Sequence, residues 1–333
     1  MRWGLIVVMV VAGCGGRAGG PVARKPVAQA ARPAGNRQPA ADNRQPTLGE
    51  IGKKAAFAST IQAQGLSVGG WISEDQEGEA ADQFVNRASA AFDIGDSDGA
   101  AREAQAALYA DPGNVAAAVI LARAQVALGN LGKAEAVARG AVALPGGEQK
   151  AQLWMILGLA AEADGRMEEA VAAYGKATGL DRDYYAAWTN LGALYLRQDS
   201  LALAVDAFEN AVRLHPDAAA AHCNLGSALR ARTADFAAEP QRVTPLLERA
   251  EAEYLEAYRI DRTYAPALFN LALMHLDGDA SKMTRREQLE FAEQYFDLYR
   301  KLIKDQRRGG RADAAPVDEY LALTRSLLAR LPK

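Results

Sequence analysis

From Ala81 onward, apolar residues recur at spacings of three and four, and the pattern itself recurs about every 34 residues. The clearest stretch runs from Tyr185 to Ala218 and carries Trp188, Leu191, Gly192, Tyr195, Ala204, Phe208, Ala211 and Pro216. The stretch from Ala151 to Tyr184 has Trp154, Leu157, Gly158, Ala161, Ala170, Tyr174 and Ala177 in step. A weaker copy starts at Val115, with its slack at Pro145-Gly146-Gly147, and another starts at Ala81 and closes on Asp111-Pro112. Ala219 opens a copy with His222, Leu225 and Gly226, whose second half resumes only at Ala250, Tyr254 and Ala257. Ala265 opens the last copy, with Leu268 and Leu271, and Ala292, Phe296 and Tyr299 follow after extra residues. Spacing of three and four puts each apolar set on one helical face, so every copy predicts two amphipathic helices. Pro at positions 112 and 216 stops the second helix, because it lacks an amide and disfavours helix just before it.

The eight positions filled in the Tyr185 copy are those of the tetratricopeptide repeat (TPR), which this chain resembles. The resemblance implies an all-α, right-handed superhelical solenoid of about six helix pairs, starting near 81, 115, 151, 185, 219 and 265. Such a fold offers a surface for holding other proteins rather than a pocket for chemistry. Thr244-Pro245 predicts the start of the fifth second helix, as an N-cap followed by Pro at the first helical position. Thr284 to Glu287 matches a capping box for the sixth. The enlarged turns near 231–243 and 277–284 are expected as surface insertions. After the solenoid (81–306), a segment at 307–333 holds a basic Gly linker and then Val317, Tyr320, Leu321, Leu323, Leu327, Leu328 and Leu331. It reads as a helix capping the last repeat.

The N-terminal pattern differs. Arg2 precedes a short apolar run from Leu5 to Val11, too short to span a membrane, so residues 1–13 predict a secretion signal. The run ends in Val11-Ala12-Gly13-Cys14, which resembles the bacterial lipobox. That resemblance implies cleavage before Cys14 and its lipidation with palmitate-type acyl chains, and Gly15 in place of Asp implies the outer membrane, facing the periplasm. Residues 14–46, rich in Gly, Ala, Pro and Arg with almost no bulky apolar residue, are expected to be a disordered tether. Residues 47–80, where Ile51, Phe57 and Ile61 share helical spacing, predict a helix or loop packing on the first repeat.

Composition adds exclusions. A net charge of −3 argues against generic nucleic-acid binding. There are two cysteines, and if Cys14 is lipidated as the lipobox resemblance implies, Cys223 has no disulfide partner. The three histidines, His215, His222 and His275, fill repeat positions and read as structural. Asp93 to Gly99 lacks the full ligand pattern of a calcium loop and reads as an interhelical turn. No metal, cofactor or enzyme is expected.

The candidate site is a stripe along the first helices. Its sixth repeat position is Asn in four copies, at Asn86, Asn190, Asn224 and Asn270, and is Ile120 and Ile156 in the other two. An amide offers both donor and acceptor, so a row of them can bind an extended peptide backbone. Arg123, Glu162, Arg197 and Arg230 share the stripe and would add charge selectivity. The carboxylate-clamp pattern of some TPR domains is absent, since the second positions carry Asp82, Ala116, Gln152, Ala186, Ala220 and Pro266. The lipobox with tandem repeats resembles the architecture of TPR lipoproteins in gliding-motility machines and of type IV pilus pilotins. It implies a membrane-anchored scaffold with protein or peptide partners in the envelope. A motility component comes first; a secretin assembly factor, or a recruiter of a cell-wall or polysaccharide enzyme, is the alternative.

Overall fold

The structure, a computed structural model, describes residues 48–64, 77–279, 283–306 and 315–332. The signal segment, Cys14 and the tether lie outside the described residues. The described chain is all-α, with fourteen helices. Two compact units divide between Ala173 and Tyr174, inside α7.

The first unit holds α1 (Leu48–Ala63), α2 (Glu77–Asp93), α3 (Ser97–Ala110), α4 (Val115–Ala127), α5 (Leu131–Val142), α6 (Ala151–Ala163) and the start of α7 (Met167–Leu180). The second holds the rest of α7, then α8 (Tyr185–Arg197), α9 (Leu201–Leu214), α10 (Ala219–Arg232), α11 (Pro240–Ile260), α12 (Ala265–Asp277), α13 (Arg285–Gln306) and α14 (Ala315–Arg330). Helices α4, α6, α8, α10 and α12 start at 115, 151, 185, 219 and 265, and within the units α2 packs on α3, α4 on α5, α8 on α9, α10 on α11 and α12 on α13. The first pair starts at Glu77 rather than Ala81.

Recurrent chemistry closes the turns inside the pairs. A residue with positive φ stands at Gly95, Gly129, Gly165, Asp199 and Gly278. In each case the next residue donates its N–H back to the helix, as in Asn130 to Gln125 O (2.8 Å), Arg166 to Ala161 O (2.8 Å) and Ser200 to Tyr195 O (2.9 Å). Asp199 does this at φ 57° without being glycine. Asp96 caps α3 by accepting from Gly99 N at 2.8 Å, which explains the acidic turn.

The first unit's core is built mainly of alanine. Ala100, Ala104, Ala107, Ala117, Ala118, Ala122, Ala134, Ala138 and Ala141 are fully buried, with Leu121, Leu144 and Leu153 among them. Small side chains allow close helix approach and favour helix, but each buries little area. In the second unit larger rings fill the layers. Phe208 lies over Gly192, and Tyr254 lies over Gly226, where an added Cβ would stand 2.9 Å and 2.8 Å from the ring.

Three sequence expectations need correction. Helix α11 starts at Pro240, not at Thr244-Pro245, and Pro245 lies inside it. Most of the predicted 231–243 loop is therefore helix: α10 runs to Arg232, a 3-10 turn spans Thr233–Phe236, and α11 follows. Pro240 at the helix start costs nothing, because the first turn's amides lack intrahelical partners, whereas Pro245, the sixth residue, forgoes the bond its amide would make to Gln241 O. The N-terminal helix α1 does not sit on the first repeat's pair alone. It packs on α5, and Lys54 Nζ lies 3.3 Å from Asp111 Oδ1 at the end of α3. On α14, Val317 and Leu321 are buried in one cluster with Phe269 and Phe296, while Leu323 faces solvent at 48% exposure. The capping box at α13 is formed: Thr284 N donates to Glu287 Oε2 (2.7 Å), and Glu287 N donates to Thr284 Oγ1 (3.3 Å).

Candidate functional site

Within each unit the first helices are neighbours: α2 with α4, α4 with α6, α8 with α10, and α10 with α12. A residue at the same repeat position on such helices therefore forms a row. In the second unit the row is Asn190, Asn224 and Asn270, all half-buried. In the first unit Asn86 is exposed on α2, while Ile120 and Ile156 hold the equivalent position on α4 and α6. Ile156 is buried at 3% exposure, so that part of the stripe is apolar.

The three asparagines of the second unit are not equivalent. Asn270 Nδ2 lies 3.4 Å from both Cys223 Sγ and Ser227 Oγ. Ser227 has one hydroxyl proton, which it donates to Cys223 O at 2.9 Å. Its oxygen then accepts from Tyr254 OH at 3.2 Å and from Asn270, which turns the nitrogen of Asn270 inward. Burial pushes the Cys223 thiol up to about 12, so the sulfur stays a neutral, weak partner in this network.

The charged members of the stripe divide likewise. Arg123 is exposed on α4, with its guanidinium carbon 4.2 Å from the Phe92 ring centroid. Glu162 is half-buried on α6, and Arg197 is exposed at the end of α8. Arg230 is different: its side chain is 10% exposed and pairs with Asp277 (2.5 Å) and Asp279 (2.9 Å) at the end of α12. It is a tie between two first helices. The sequence hides this tie, because the two aspartates follow an insertion that breaks the repeat register.

The histidines have defined structural partners. Trp154 Nε1 donates to Glu148 O (2.8 Å) and Trp188 Nε1 to Arg182 O (2.9 Å), each reaching six residues back. His222 fills the same repeat position, and its Nε2 lies 3.0 Å from Pro216 O, again six back. Its Nδ1 lies 2.6 Å from Glu253 Oε2 on α11. His275 is 1% exposed, stacks on Phe291 and Tyr295, and lies 3.4 Å from Glu251. His215 meets the Tyr185 ring edge-on at 4.6 Å. Among the described residues there is no grouping of three or more His, Cys, Asp or Glu placed to hold a metal ion.

Besides the Arg230 tie, the sequence reading missed two further arrangements. One is the Ser227–Tyr254 network behind Asn270. Its only sequence signal was a Ser one position after Gly226. The other is α1, described above, whose Lys54 and Phe57 engage residues of two different helix pairs.

Two family models match the sequence: "Tetratricopeptide repeat" over residues 85–149 and 189–265, and "TPR repeat" over residues 163–199. No curated protein matches it significantly. Among solved structures, the PilF protein of Pseudomonas aeruginosa superposes with a TM-score of 0.55 at 17% identity, covering 75% of this chain and 99% of that one. YrrB, described as a TPR protein with an unusual peptide-binding site, gives 0.52 at 15% identity, over 68% of this chain and 99% of that one. The Cut9–Hcn1 heterotetramer of the APC/C gives 0.53 at 15% identity, over 83% of this chain and 47% of that chain. At these identities the likeness establishes the fold.

Proposed function

We propose that this chain, which carries tetratricopeptide repeats, is a protein-binding scaffold anchored in the outer membrane by lipid on Cys14, faces the periplasm, and serves an envelope complex of the gliding-motility kind. Proteins with these repeats mediate protein–protein interaction. The anchoring half rests on Val11-Ala12-Gly13-Cys14 after a short apolar run. The binding half rests on one observation: Asn190, Asn224 and Asn270 stand in a row on adjacent first helices. With the Asn270 nitrogen turned toward Ser227, its carbonyl oxygen is left to accept an N–H from an extended segment.

Replacing Asn190 and Asn224 together by Ala tests the groove. Partner recovery from crosslinked envelopes should fall, with the melting temperature unchanged, because half-buried surface amides contribute little to stability. Unchanged recovery removes the groove. Replacing Cys14 by Ser tests the anchor: palmitate labelling and membrane retention should both be lost. Deleting the chain should stop movement while secretin multimers remain. Loss of the multimers would instead assign the assembly-factor role, and co-purification with a cell-wall enzyme would assign a recruiter.

A further inference from the structure

Among the described residues, His222 is the one histidine with an acceptor on each ring nitrogen. Its Nδ1 lies 2.6 Å from Glu253 Oε2, and its Nε2 lies 3.0 Å from Pro216 O. A neutral imidazole has one N–H and one lone pair, so one of these acceptors would then face a lone pair. A proton on each nitrogen satisfies both. Arg249 stands on the other side of the carboxylate, with its Nε 3.8 Å from Glu253 Oε1. His275 differs: its Nδ1 is buried without a hydrogen-bond partner, and only Nε2 meets a carboxylate, that of Glu251, at 3.4 Å. A neutral ring fits that arrangement. The repeat position of His222 holds Trp154 and Trp188 on other first helices, and their indole N–H donates to the carbonyl six residues back with no proton to lose in water. His222 keeps that bond, ties α10 to α11 through Glu253, and makes the tie titratable.

We infer that His222 is a pH-sensitive latch: protonated on both nitrogens, it seats the long helix α11 against α10 through Glu253, and the seat loosens when one proton leaves. The two side chains are 10% and 17% exposed, so solvent screens the pair little. The charged groups around it are already committed. Arg249 bridges Glu253 and Glu209 of α9, the latter at 2.7 Å. Glu256, further along α11, is held below its ordinary value chiefly by its hydrogen bond from Arg259, with a smaller pull from His222. Asp277 and Asp279 of α12 are taken up by Arg230, and Tyr185 of α8 packs on His215. Asp217 follows Pro216 in the turn before α10, and burial pushes up the hydroxyl of Tyr264, which precedes α12. The residue after Glu253 is Tyr254, whose hydroxyl donates to Ser227, the acceptor for Asn270. The latch and that network therefore share one turn of α11. It acts within the second unit and stands whether or not the asparagine row binds a partner.

The test compares the full-length wild type with His222→Gln and Glu253→Gln in urea unfolding from about pH 5.5 to about pH 8.5, the range in which histidine changes charge. Glutamine keeps a side-chain donor but does not titrate, and the other two histidines are common to all three chains. A proton that the fold holds contributes stability in acid and loses it as the pH rises and the proton leaves. The wild type should therefore have an advantage over His222→Gln in acid that shrinks by roughly tenfold in the unfolding constant across the range, the size of one charge-assisted hydrogen bond. Glu253→Gln should flatten the profile in the same way. Amide hydrogen exchange over residues 246–258, taken as the ratio of wild type to His222→Gln at each pH, should show extra protection in acid that is lost in base. If His222→Gln fails to fold, His222→Trp replaces it with the same expectation. Parallel pH profiles for wild type and the His222 variant, a Glu253→Gln chain that keeps the full decline, or an exchange ratio that does not change with pH overturns the proposal.

Discussion

Replacing Gly192 by Ala pits two known effects against each other. Within a helix, Ala is better than Gly by about 1 kcal/mol. The new Cβ would stand 2.9–3.0 Å from three carbons of the Phe208 ring, which is itself 1% exposed and has no free side to move into. Overpacking of this kind costs about 1–3 kcal/mol, so the net change is a loss of about 0–2 kcal/mol. Gly175, on α7, supplies the control, because nothing lies within 4 Å of its added Cβ. Gly175→Ala should therefore gain about 1 kcal/mol from propensity alone. The steric difference between the variants is then about 1–3 kcal/mol, which for a unit of this size separates their melting temperatures by about 2–12 °C. Thermal unfolding followed by far-ultraviolet circular dichroism reads it directly. Pairing Gly192→Ala with Phe208→Leu should recover part of the loss. Equal stabilisation by Gly192→Ala and Gly175→Ala would refute the claim that glycine at this repeat position is there for close packing under the ring.

Other expectations follow from single contacts. Burial opposes ionisation of Glu135, but hydrogen bonds from Arg139 and Arg166 outweigh it and hold the carboxyl below its ordinary value. A depressed carboxyl contributes stability above its unfolded pKa and loses it as pH falls through the folded value. The Arg166→Gln variant should therefore lose stability near neutrality and show a shallower decline below about pH 4 in urea titrations; an identical pH profile would contradict this. Asp199 holds a left-handed turn that glycine fills in four other pairs, so Asp199→Gly should be neutral or raise the melting temperature, and Gly165→Ala should lower it. With its thiol pushed up to about 12 by burial, Cys223 should resist iodoacetamide at pH 8 in the folded chain and react on unfolding. Rapid labelling of native protein would disprove its enclosure.

Much of this fold was legible because the repeat writes the same physics into each copy. Ring positions such as Trp154 and Trp188 and the prolines at 112 and 216 each have a local cause that the sequence displays. Legibility failed where partners are distant in sequence. Thr244-Pro245 carries the signature of a helix start, yet α11 begins at Pro240 and Pro245 is its sixth residue. Arg230 looked like a free groove charge, and its two aspartates stand beyond an insertion. In sequence, His222 reads as a structural residue at the tryptophan position. It keeps the ring-to-carbonyl contact of Trp188 and adds Glu253 from the next helix. Residues 47–80 read only as a helix or loop, and the contact of α1 with α5 could not be read, because nothing in Gly140 or Gly113 alone announces a missing side chain's worth of room.

The central claim, that the asparagine row on the first helices is the partner-binding face, is tested most directly by photocrosslinking in intact envelopes. Benzoyl-phenylalanine would be placed at Asn224, on α10, and separately at Leu203, an exposed residue of the second helix α9. Discrete adducts from position 224 and none from 203 are the predicted result. Adducts from 203 alone, with position 224 silent, would contradict the account and move the binding face to the second helices.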